Sequence, residues 1–150
     1  MKQFLKSALL FLVFIIPLAA CSNETNELEG ESFSVFTPNP TVEYSDLPEN
    51  PSKNFVFKFE KNGKMKVIRY GEEYSGTYEL NNKNELIMAV DDNDKNTVNF
   101  AIRSFEHHEK NENIYLGTVA KSDVPEGHAL TNEFYSFSIK EPIGLQKFED

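Results

Sequence analysis

From Asn54 onward, apolar and polar residues alternate with a period of two, the mark of strands with one buried face. Phe55, Phe57 and Phe59 share a face, with Val56 and Lys58 between them. Glu60-Lys61-Asn62-Gly63 follows, and Asn-Gly signals a hairpin. Lys64–Tyr70 is the return strand, with Met65 and Val67 together. After a turn at Gly71-Glu72-Glu73, Tyr74, Tyr78 and Leu80 align, and Gly76 between the tyrosines predicts a bend or bulge. Asn81–Asn84 turns the chain into Leu86, Met88 and Val90; Asp91–Asn96 turns it again into Val98, Phe100 and Ile102. A charged loop is expected at Glu106–Asn113, a strand at Ile114–Lys121 with Tyr115 and Val119 facing opposite to Leu116, and a loop at Ser122–Thr131. Phe134–Ile139 reads as the last strand, closed by Pro142 and Gly144, with a tail beyond. Past the N-terminal run, no stretch of about 11 residues, a typical helix, keeps the i, i+3, i+4, i+7 pattern.

The expected fold is therefore all-β: an antiparallel meander of about six to eight strands, closed or partly closed into a barrel so that its edges are hidden. The run FVFKFEKNGKMKVIRY–GEEYSGTYELNNKNELIMAV resembles, best over residues 54–90, the strand–(N/D)G–strand–G-x-Y–strand pattern of bacterial lipocalin-like lipoprotein domains. The resemblance continues loosely to Ile139 and implies a lipocalin-like barrel.

The N-terminus has a different pattern. Lys2 and Lys6 precede an uncharged run from Ala8 to Ala20. At about 1.5 Å per residue that run spans roughly 20 Å, short of a hydrocarbon core of about 30 Å, and Pro17 interrupts it. It fits a cleaved signal peptide over residues 1–20. The run ends Leu18-Ala19-Ala20-Cys21, which closely resembles the lipobox of bacterial lipoproteins. Small side chains let the chain enter a peptidase cleft, and the thiol just past the scissile bond takes the lipid. The resemblance implies lipidation of Cys21, palmitate among the acyl chains, and residence on the extracytoplasmic face of a cell membrane. Two acyl chains hold stably where one is marginal.

Between Cys21 and Lys53 lie seven acidic residues, one lysine and four of the seven prolines. This composition predicts an extended tether over residues 21–53, reaching about 100 Å at roughly 3.1 Å per residue. Ser32–Phe36 is the exception, suited to one added edge strand. The barrel-like domain is then expected over residues 54–145, with a tail at 146–150.

Charge narrows the partners. The chain carries 24 Asp and Glu against 15 Lys and Arg, a net charge of −9, which argues against nucleic acid. Loss of residues 1–20 removes two lysines and no acid, leaving 13 cations against 24 carboxylates, a net −11. An anionic leaflet gives such a chain no electrostatic help. One cysteine allows no intramolecular disulfide and no Cys-cluster metal site. Eight Phe and five Tyr from residue 54 onward suit a core filled by its own side chains.

Candidate chemistry is sparse. Glu106-His107-His108-Glu109 is the most metal-like cluster, but neighbours in a strand point to opposite sides, and a third ligand such as His128 would have to come from another loop. Asp91–Asn96 hints at calcium, yet an EF-hand loop starting at Asp92 would put Thr97 and Arg103 where Gly and Glu belong; a polar turn is the simpler reading. No nucleophile elbow, Walker loop or Gly-x-Gly-x-x-Gly occurs, and no carboxylate pair stands out. Tyr70, Tyr74 and Tyr78 form either core or a recognition stripe. Lys58, Lys64, Lys66 and Arg69 give a local basic face that edge protection explains. These features point to a monomeric, non-catalytic binding module with no cofactor, metal or catalytic residue. Its partner is a protein, an envelope component or a small apolar ligand, met on the loops Glu106–Asn113 and Ser122–Thr131. The narrower form is an immunity or inhibitor lipoprotein against a cationic secreted enzyme or toxin; a hydrolase or accessory enzyme is the other class.

Overall fold

The alternation folds as eight antiparallel strands in a closed barrel. The structure, a computed structural model, describes residues 27–149 apart from 42, 45 and 46; residues 1–20 and Cys21 lie outside them. The strands are β1 (Ser32–Phe36), β2 (Phe55–Phe59), β3 (Lys64–Arg69), β4 (Glu72–Leu80), β5 (Leu86–Asp91), β6 (Thr97–His108), β7 (Asn111–Asp123) and β8 (Pro142–Phe148), with a short α-helix, α1 (Thr131–Tyr135), before β8. Each strand pairs with its chain neighbours, and β8 closes the ring on β1. This is the closed antiparallel barrel that the pattern predicts, lipocalin-like as the resemblance implies.

Register puts the apolar residues in cross-strand rows. Phe33 opposes Phe57, Phe57 opposes Val67, and Val67 opposes Tyr74. Lower on the wall, Tyr78, Met88 and Phe100 form a second row. All of these are buried. Between them an aromatic column runs along the interior. Phe134 packs on Phe100 at 5.0 Å and on Phe57 at 6.4 Å between ring centroids. Phe57 leads to Phe59 at 6.5 Å, Phe59 to Phe33 at 5.6 Å, and Phe33 to Tyr115 at 5.5 Å. Tyr115 stacks on Phe105 at 4.9 Å. Edge-to-face and offset rings of this kind are how a small barrel packs its interior with its own side chains.

Both ends are stoppered. At one end the turn of residues 27–31 lays Leu28, fully buried, over the interior. Hydrogen bonds from Gly30 N to Phe59 O (2.9 Å) and from Phe59 N to Glu31 O (2.9 Å) fasten it. At the other, the segment between β7 and β8 inserts Leu130, Phe134 and Phe137, all buried.

Several boundaries differ from the sequence reading. Ser32–Phe36 is no edge strand: it pairs on both sides and completes the barrel. The barrel therefore starts at Ser32, not at 54. The described residues between 37 and 53 are not a free tether either. They lie against the outer wall, where Ser34 Oγ donates to Ser52 O (2.6 Å) and Gln146 Nε2 to Pro48 O (2.7 Å). Phe134–Ile139 is not a strand, since α1 and a turn occupy it. The closing strand is instead Pro142–Phe148, so the tail expected at 146–150 is largely wall. Pro142 is tolerated as the first strand residue, and Gly144 leaves room for the ring of Phe36 opposite it. Gly76 makes no bulge; β4 pairs in regular register there, and a Cβ would stand 2.5 Å from the Ala89 carbonyl. The bulges fall in β6, around Ala101–His108.

Candidate functional site

The metal-like cluster lies at the Leu28 end. The loop expected at Glu106–Asn113 is mostly strand: β6 runs to His108, β7 starts at Asn111, and only Glu109 and Lys110 form the tip. As neighbours in a strand, the two histidines diverge. His107 turns toward the barrel mouth. Its Nε2 accepts the Tyr115 hydroxyl at 2.7 Å, and its Nδ1 donates to Glu112 O at 3.0 Å, a tautomer assigned from these partners. Burial pushes the Tyr115 phenol well up, and the Glu27 and Glu31 carboxylates add to the shift, so the phenol stays a donor. Glu27 stands 3.6 Å from His107, and Glu31 pairs with Lys147 at 2.8 Å across the same mouth.

His108 turns outward and packs on Tyr44 at 4.6 Å between ring centroids. Asn111 Nδ2 donates to Tyr44 O (3.2 Å), holding the outer segment in place. The β6 bulge opens a groove of about 620 Å³ here, lined by Glu43, Tyr44, Glu106, His108, Glu109 and Leu116 among others. It is an open surface cleft of mixed polar and apolar lining. It cannot recruit His128, which sits at the opposite end of the barrel, buried, with Nδ1 accepting from Leu130 N at 3.0 Å. Among the described residues, no three His, Cys, Asp or Glu side chains are arranged to hold a metal ion.

The turn nominated for calcium satisfies itself. Asp92 Oδ1 accepts from Asp94 N and Asn96 N, both at 2.9 Å, and Oδ2 from Asn96 Nδ2 at 3.2 Å. Burial opposes the Asp92 charge, but these donors and the nearby His128 outweigh it and hold the carboxyl below its ordinary range.

At the far end, Arg69 clasps the stopper. Its Nε lies 2.7 Å from Glu133 Oε1 on α1, and Nη1 donates to Ala129 O at 3.1 Å. The loop expected over Ser122–Thr131 is thus part of the closure, with Leu130 and His128 buried. The tyrosine stripe divides: Tyr74 and Tyr78 are core, while Tyr70 is 71% exposed. Of the basic face, Lys66 pairs with Glu73 at 2.6 Å and Arg69 with Glu133. The clasp and the exposed Tyr135 ring of α1 were not readable from local pattern, because they depend on where the chain folds back.

Comparison with protein-family models, curated proteins and solved structures gives no match for the chain.

Proposed function

We propose that the chain is a lipoprotein, attached through Cys21 to the extracytoplasmic face of a cell membrane, and that it acts there as a monomeric, non-catalytic binding module. The anchor reading is supported by the uncharged run of residues 8–20 and the lipobox-like Leu18-Ala19-Ala20-Cys21. The mode of binding rests on one observation: the aromatic column from Phe134 to Tyr115 occupies the interior. A partner is then taken on the outside of the barrel, either at the groove beside Tyr44 and His108 or at the α1 end. The mature charge of −11 favours a cationic protein, which it would steer on approach. That charge also supports the narrower reading, an immunity or inhibitor lipoprotein against a basic secreted enzyme or toxin.

Metabolic labelling with an alkyne fatty acid tests the anchor. Wild type should take the label and Cys21→Ala should not; equal labelling of both overturns the lipoprotein reading.

A further inference from the structure

The two barrel ends are not equivalent once the anchor is considered. Resting on the lipoprotein reading above, we infer that the α1 end is the membrane-distal docking face for a cationic protein, centred on Tyr70 and Tyr135.

The first support is chain length. Glu27 begins the turn that stoppers the Leu28 end, six residues after Cys21. Six residues reach at most about 20 Å. The walls β4, β6 and β7 run 9, 12 and 13 residues, about 23–33 Å tall at roughly 3.3 Å per residue and a 40° tilt. A linker that short holds the Leu28 end, with its Tyr44–His108 groove, toward the bilayer. It cannot run the length of β4, β6 or β7; β1, β2 and β3, of 5, 5 and 6 residues, fall within its reach, so chain length favours the Leu28 end as the anchored one.

The second support is where apolar surface is left uncovered. Four large hydrophobic residues are exposed among those described: Tyr70, Ile87, Tyr135 and Ile139. Tyr70, Tyr135 (61%) and Ile139 (54%) all belong to the α1 end. Solvent-facing tyrosines are common contact anchors. Tyr70 is also an unusual choice for its position. It and Gly71 form the two-residue link between β3 and β4, with φ of 48° and 88°. Positive φ at both central residues favours Asn-Gly or Asp-Gly, and a bulky ring there is costly. Asn at 70 would suit the turn's backbone better; within the fold the ring meets the Arg69 guanidinium at 5.9 Å from its centroid, and most of its surface is left to solvent.

The third support is charge. The segments 69–73, 91–96 and 123–141 that build this end carry nine carboxylates against three Arg or Lys. Carboxylates around exposed tyrosine faces suit lysine and arginine side chains, through ion pairs and cation–π contact. An acidic protein or an anionic lipid surface would be repelled.

Photo-crosslinking of the full, membrane-resident chain tests this. p-Benzoylphenylalanine is placed at Tyr70 or Tyr135 on the distal end, and at Lys61 or His108 on the anchored end, in intact cells. The distal positions should yield one discrete adduct with a protein of basic isoelectric point, and the anchored-end positions should not. No distal adduct, an acidic partner, or adducts confined to Lys61 and His108 overturn the inference. With the crosslinked partner purified, Tyr70→Asn should weaken binding at least about tenfold while the thermal transition holds or rises. Unchanged affinity also overturns it. The fatty-acid label is read in the same cells: its absence with distal adducts present removes the anchor but not the face, and its presence without them removes the face alone.

Discussion

Phe57 stands at the middle of the aromatic column, with Phe55 at 5.4 Å, Phe134 at 6.4 Å and Phe59 at 6.5 Å. Its side chain is fully buried. Phe57→Ala should cost about 3–5 kcal/mol, a large share of the 5–15 kcal/mol typical of a domain. Urea denaturation of the 22–150 fragment measures it; a loss under about 1 kcal/mol would mean that the column is not the core. Asp92 offers a pH test. Its folded pKa is depressed, so it stabilises the fold above the unfolded value of about 3.9, and that contribution is lost as pH falls through the lower folded value. Asp92→Asn should lower stability at pH 7 and lose less of its melting temperature than wild type between pH 5 and pH 2. Parallel pH curves for the two proteins would contradict the turn's hydrogen-bond geometry.

At the scale of elements, the β6–β7 tip and the β7–β8 connection looked alike in sequence as long polar loops, and they are opposites. The tip is two exposed residues, Glu109 and Lys110, beyond a paired hairpin. Replacing them with Asn-Gly should leave the thermal transition within a few degrees. Replacing residues 122–131 with a short flexible linker should abolish cooperative melting, because Leu130 and His128 leave the interior with it. Circular dichroism of both variants distinguishes the two roles. The strands from β3 to β5, and the start of β6, were legible because each has one wetter and one dry face, and period two survives in that setting; β2 was legible from its alternating Phe55, Phe57 and Phe59, although Val56 between them is also buried. The β8 strand was not: Ile143, Gly144, Leu145 and Gln146 are all buried, since Phe36 packs on Gly144 and the chain at Pro48 lies against Gln146, and Pro142 and Gly144 read as breakers. The stopper was hidden by its brevity. Leu130, Phe134 and Phe137 have helical spacing, i, i+4, i+7, but α1 is only five residues long. Tyr115 and His107 were each visible as residues; their pairing needed the β6 bulges, which local pattern does not carry. The candidate docking face was legible only in part, as one end of a tyrosine series whose other members proved to be core.

For the whole molecule, closure and filling belong together. Eight strands make a barrel just wide enough to be packed by side chains or to hold one small ligand, and here Leu28 at one end and the α1 segment at the other leave the rings in between with each other as neighbours. On the function proposed above, a module built this way would meet its partner on the outside, and a lipid on Cys21, rather than the acidic surface, would keep it at the membrane. The direct test of the filled barrel is a titration of the 22–150 fragment with the apolar fluorophore N-phenyl-1-naphthylamine, repeated with Tyr70, Tyr135 and Ile139 changed to serine to remove surface sites. The filled barrel predicts no saturable uptake in either protein beyond weak surface adsorption; one-to-one, saturable binding that persists in the serine variant would contradict it and make the barrel a ligand-holding calyx.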